Sequence, residues 1–136
     1  MTQFSPETVS AVLRGAVTRI LSPPKWSQGA MARTAVGAKV APESAGAMAY
    51  CAYGSVRAEA LSLLKPGTDL MARGVALKLA EHASKHLGMV LVSMGLKVHP
   101  TDAPRTVMEW NDADGRTHDE VLWLFSEAMR TAKRAA

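Results

Sequence analysis

Residues 109–121 read EWNDADGRTHDEV and gather a tryptophan, an Asn-Asp pair, an arginine, a histidine and further acids. Arg116 and His118 precede an apolar periodic run, so both sit near the positive end of a helix. Free backbone N–H groups there, with a guanidinium and an imidazole, can hold a phosphate or carboxylate. A second chemistry needs Cys51 as well. A thiol, the His118 imidazole and Asn111 or Asp112 as orienting group are the parts of a cysteine hydrolase. A third lies in EHASKH, 81–86, where His82 and His86 stand four apart and share a helical face. That is the spacing of the H-E-x-x-H zinc proteases, but Ala83 occupies the position of their glutamate, which removes the general base.

Each of these has a plainer explanation. Thr117 and Glu120 form S/T-x-x-E ahead of the apolar run, a capping box in which each residue satisfies the other's backbone N–H. Asp119 adds favourable negative charge to the same first turn. Asn111 and Asp112 suit the turn before Gly115, since their side chains can bond backbone two residues on. Arg116 and His118 are not needed by the box, and a solvated pair beside a helix start is the simpler reading. Cys51 falls within an Ala-rich helical stretch, where a buried thiol is inert. His82 and His86 edge an apolar stripe, as half-buried structural histidines do, and no metal site is assigned. No catalytic residue and no cofactor is assigned either. Gly-rich phosphate loops and dinucleotide fingerprints are absent.

Elements must position these residues. Ser5 caps a first helix, Pro6 suits its first position, and Val9, Val12, Leu13, Ala16, Val17 and Ile20 form its stripe. Consecutive prolines at 23–24 end it. Residues 25–43 read as an ordered loop or a small hairpin turning near Gly37, with Trp26 folded back onto the core. The pattern predicts a second helix over about 43–63, in which Gly54 implies a closely passing backbone. LKPG ends it. Thr68 or Asp69 caps a third helix over about 70–87, with Met71, Val75, Leu79 and several alanines on its buried side and Gly88 as its stop. MVLVSMGLKV reads as a further helical segment. Asp102 caps a short piece over 103–109, and the last helix runs from the opening motif to about Arg134.

Hydrophobic residues make up 48% of the 136-residue chain but aromatics only 5%, so the core is expected to lean on Ala, Leu, Val and Met. The fold class is therefore mainly α: a single compact domain, 1–136, of about four main helices with an ordered loop or small hairpin between the first two. The net charge of +4 comes from sixteen basic residues scattered among twelve acids. A nucleic-acid binder concentrates such charge on one face, and the local excess at Arg130, Lys133 and Arg134 also complements a helix C-terminus. One cysteine excludes an internal disulfide. No apolar run reaches membrane-spanning length, and the N-terminus lacks the pattern of a signal peptide.

The blocks Trp26-Ser27-Gln28-Gly29-Ala30, Cys51-Ala52-Tyr53-Gly54 and Trp110-Asn111-Asp112 with Arg116-Thr117-His118 and Glu120-Val121 resemble a family of small uncharacterised proteins. Its members occur in bacteria, mainly actinobacteria, and in bacteriophages, and share a domain of unknown function. The pattern is W-x-Q-G, C-x-x-G-A, then W-N-D-x-x-x-R-T-x-x-E-V, and it covers about residues 9–132. Ser55 stands where the family usually has Ala. The resemblance implies a helical domain and a phage or prophage setting, and it carries no residue roles. The candidate ligand-binding residues are thus Trp110, Asn111, Asp112, Arg116, His118, Gln28 and Cys51.

The expected function is a non-enzymatic intracellular binding or regulatory protein, phage- or prophage-encoded, acting on a host or phage macromolecule. A protein partner fits best. The basic excess keeps nucleic acid open, a homo-oligomer is also open, and no membrane is expected. The alternatives are an enzyme or small-ligand binder built on the 110–118 motif, and a structural virion or assembly protein. The setting is the bacterial cytoplasm, or the virion for the last of these.

Overall fold

The computed structural model describes residues 4–65 and 67–134, the Arg134 side chain excepted. Of the turn read at LKPG, Pro66 lies outside the described residues, as does the Arg134 side chain in the C-terminal basic group.

Helix α1, Pro6–Arg19, starts as its sequence dictates: the Ser5 hydroxyl accepts from the Thr8 N–H and Pro6 fills the first position. Its stripe of Val9, Val12, Leu13, Ala16 and Ile20 is buried, and Val17 is half-buried. A single 3-10 turn, Pro23–Lys25, follows. The expected hairpin is present as β1, Ala32–Arg33, paired antiparallel with β2, Lys39–Val40, around a turn in which Gly37 has φ 86°. A third strand, β3 at Ala49–Tyr50, pairs with the other edge of β1, giving the order β2-β1-β3.

That strand corrects the second helix. Helix α2 spans Ala52–Ser62, and residues 43–51 are turn and strand. The small residues of 43–50 suit a helix by propensity, but pairing with β1 claims their backbone, with the Met48 N–H on the Arg33 carbonyl. Cys51 is therefore not inside a helix. It is the N-cap of α2, its sulfur accepting from the Gly54 N–H at 3.2 Å. The close approach implied by Gly54 is there: a Cβ would overlap the Met31 carbonyl, which also accepts from the Cys51 N–H.

Helix α3, Leu70–Ser93, is capped by Asp69 and runs straight through Gly88, which is not its stop, so MVLVSMGLKV is helical to Ser93 as part of the same helix. Its outer residues differ from expectation. Met71 is 80% exposed and Val75 is also exposed, while Ala76, Leu79, Ala80, Ala83, Leu87 and Leu91 make the buried face. Helix α4, Ala103–Asn111, is capped by Asp102. In α5, His118–Arg134, the capping box is formed: the Glu120 N–H meets the Thr117 hydroxyl at 3.2 Å and the Thr117 N–H meets the Glu120 carboxylate at 2.8 Å.

α1 packs on α2, α3 and α5, and α4 lies across α2 and α3. One apolar cluster joins all five helices and is centred on Phe125, Leu13, Leu87 and Leu124. Alanine, valine and leucine fill it as expected, but methionine does not. Met48, Met71, Met89 and Met94 are exposed, and Met31, Met108 and Met129 are half-buried. The alanines let the helices approach closely enough to leave long, flexible side chains outside. No helix among the described residues is long and apolar enough to cross a membrane.

Candidate functional site

The C-terminal end of α4 brings distant blocks of sequence together. Asn111 is its last residue and is fully buried. The carboxamide oxygen accepts from the Trp26 indole N–H at 2.7 Å and from the Ala52 N–H, at the first position of α2, at 3.0 Å. Its nitrogen donates to the Ser27 carbonyl at 3.1 Å and to the Asp112 carboxylate at 2.9 Å. Asp112 in turn accepts from the Gly29 N–H at 3.0 Å. Gln28 donates to the carbonyl of Asn111, at the end of α4, and to that of Ala113, which also accepts from the Arg116 N–H. These side chains do not bond backbone two residues on, as the expected turn would have them. They fasten the loop after α1, the start of α2 and the end of α4 into one lock.

Arg116 and His118 are not a solvated pair. The Arg116 guanidinium lies over the Trp110 ring, 4.0 Å from its centroid, and its Nε–H donates to the Trp110 carbonyl at 2.9 Å. Another of its nitrogens reaches Glu120 at 3.4 Å. His118 Nε2 lies 2.6 Å from the Ile20 carbonyl oxygen, which can only accept, so Nε2 carries the proton. The same ring leans on Trp26, with centroids 6.1 Å apart.

Cys51 completes the set without adding a nucleophile. Burial pushes its thiol up to about 11, and the nearby Asp112 carboxylate pushes the same way. Its sulfur is spent on the Gly54 N–H and His118 on Ile20, so thiol and imidazole are not hydrogen-bonded to each other. The parts of a hydrolase are close in the fold and are all used for structure. His82 and His86 stand edge to face with ring centroids 5.8 Å apart, and among the described residues no group of three metal-ligating side chains gathers around them.

Open space lies beside the lock rather than in it. Trp110 and Arg116 wall a cleft of about 200 Å³ whose other sides include Leu91, Lys97, His99 and Glu109. A second hollow of about 230 Å³ adjoins it between α3 and α4, lined by Gly88, Met89, Val92, Pro100 and Ala103 with Lys85 at its side. The two share Val98, His99 and Thr106. Glu109 is engaged here by His99 at 2.7 Å and Arg105 at 3.1 Å, and these two bonds hold its carboxyl below the usual range. Sequence reasoning missed this groove. Its signal was the continuation of the helical period past Gly88, which places Lys85, Met89 and Val92 on one face at steps of four and three.

Residues 5–131 match the profile of a family of unknown function (DUF6197). The chain belongs to this family. Every residue of the lock, and the groove beside it, falls inside the matched span. Membership gives the lineage and brings no residue roles with it. No curated protein and no solved structure matches the chain.

Proposed function

We propose that the protein is a non-enzymatic binding protein that docks a segment of a partner protein in the groove between α3 and α4. The observation that carries this reading is the groove itself. Two adjoining hollows are lined by Met89, Val92 and Leu96, all of them exposed. Methionine is flexible and polarisable, and suits a surface that must fit an incoming apolar face. Lys85 and Lys97 flank the groove with no acidic partner among the described residues, whereas Glu109 is already held by His99 and Arg105. The occupant this chemistry recognises is a segment with apolar anchors and acidic flanks, as in helix-in-groove recognition.

The catalytic alternative loses its support, because the polar groups of the motif are consumed in the lock. The nucleic-acid alternative is weakened because Arg19 is paired with Glu59, and Arg33 donates to the carbonyls of Gln28 and Gly37. A phage or prophage setting, with a host or phage macromolecule as target, is part of this proposal and rests on the sequence resemblance.

The test is site-specific photo-crosslinking from position 89 in the native cell, repeated with Val92→Asp and with Lys85→Glu paired with Lys97→Glu. A discrete protein adduct that weakens in both variants, with circular dichroism unchanged, is the expected result. Adducts only with nucleic acid, only with a second copy of the chain, or unaffected by either variant overturn the reading.

A further inference from the structure

At the opposite end of α1 lies a larger cavity, of about 440 Å³, between the first turns of that helix and the last turn of α5. Pro6, Glu7, Ser10, Arg14 and Lys133 line it. Glu7, Ser10 and Arg14 are spaced three and four apart, so they form one stripe along α1. Its volume is within the range of small-molecule sites.

Ser10 makes the cavity more than a gap between charged side chains. It is 4% exposed, and its hydroxyl has no hydrogen-bond partner among the described residues. Other helical hydroxyls in the chain bond back to the preceding turn: Thr18 to the Arg14 carbonyl, Ser84 to Ala80 and Thr131 to Glu127. Ser10 does not, although the Pro6 carbonyl stands in the equivalent place. A buried hydroxyl without a partner is costly and is normally satisfied. Ser10 itself lines the cavity, so a bound molecule can supply the partner that its hydroxyl lacks.

We infer that this cavity binds a small amino-carboxylate zwitterion. Arg14 and Lys133 supply cationic donors for a carboxylate, and Arg can grip it with two parallel bonds. Glu7, on the same wall, favours an ammonium group and disfavours a dianion. Ser10 between them hydrogen-bonds the bound molecule and regains what its burial cost. The inference is independent of the α3–α4 groove and stands or falls without it.

The test uses the full chain and records backbone ¹⁵N–¹H spectra as each standard L-amino acid is added in turn. Acetate and methylammonium serve as single-charge controls. Shifts confined to the first turns of α1 and the last turn of α5, larger for at least one amino acid than for either control, are expected. Ser10→Ala and Arg14→Gln should each weaken that response by about tenfold, a loss of one tie from the ligand. Ser10→Ala should at the same time raise Tm, because it removes an unpaired buried hydroxyl, so loss of binding cannot come from loss of fold. No response to any amino acid at millimolar concentration overturns the inference. So does a response matched by acetate, which marks a plain oxyanion site, or one that both variants leave intact.

Discussion

The Trp26 indole N–H donates to the Asn111 carboxamide oxygen at 2.7 Å, across 85 positions of sequence. Asn111 uses both ends of its amide there, so its loss is not one hydrogen bond but several. Asn111→Ala leaves the Trp26 and Ala52 N–H groups and the Ser27 carbonyl without partners in a buried site. Each orphaned group costs about 1–3 kcal/mol, and some will recruit water, so a destabilisation on the order of 3–5 kcal/mol is expected. Trp26→Phe keeps an aromatic ring but removes the donor and the five-membered half of the indole, and should cost about 2 kcal/mol. Urea denaturation of the two variants measures the difference; equal small effects would show that the lock does not matter to stability.

Gly54 and Gly74 separate a required glycine from a tolerated one within helices. A Cβ at Gly54 would run into the Met31 carbonyl, a backbone atom that already accepts from Cys51. Gly54→Ala must therefore push β1 away from α2, and a loss of about 3 kcal/mol or more is expected. A Cβ at Gly74 would meet no atom of the described residues within 4 Å beyond its own helix backbone, so Gly74→Ala meets no obstacle and gains helix propensity. It should stabilise by about 0.5–1 kcal/mol. Thermal melts of both variants check opposite signs for the same chemical change.

Cys51 is expected to be chemically silent in the folded protein. Burial raises its thiol to about 11, so near neutral pH almost none of it is thiolate. Reaction with Ellman's reagent at about pH 8 should be slow until denaturant is added, and its rate should follow unfolding. Cys51→Ser keeps a capping acceptor for the Gly54 N–H and should fold, whereas Cys51→Ala loses the cap and about 1 kcal/mol. Fast labelling of the native protein would show that the thiol is accessible and reopen a catalytic role.

The helices were largely legible because their signals are local. Ser5-Pro6, Asp69, Asp102 and the Thr117–Glu120 box each act within one turn, and each forms as its residues imply. What sequence could not show was long-range competition for the same backbone. The small residues of 43–50 are good helix formers, but β1 offers them sheet hydrogen bonds instead, and this moved Cys51 from a helix interior to a cap. Met71 and Val75 follow the apolar period of α3 yet lie outside the core, because the face that α3 buries is the one carrying Ala76, Ala80, Ala83 and Leu87. The 109–121 motif was legible as a concentration of polar residues, and half of it as a helix start. That Asn111 would bind residues 26–27 and 52, rather than its own turn, depends on the fold having already brought those segments to it.

His86 gives the chain a pH dependence of determinate sign. Its Nδ1 is buried without a partner among the described residues, and burial together with the adjacent His82 holds its pKa below the ordinary 6.5. The folded state thus favours the neutral ring, and on acidification the unfolded state takes up the proton first. Stability from this residue is full above about pH 7 and declines as pH falls through 6.5 towards the lower folded value, because the unfolded chain then binds more protons. His86→Leu removes the titrating group and should flatten the fall in urea midpoint between about pH 7.5 and about pH 5.5. His82→Gln removes only the neighbouring charge and should flatten it less, since burial is the larger cause. Staying above about pH 5 keeps most carboxylates ionised, so the histidines dominate the slope. A steeper fall in His86→Leu than in the parent would mean that the ring is charged in the folded state, and the sign argued here would be wrong.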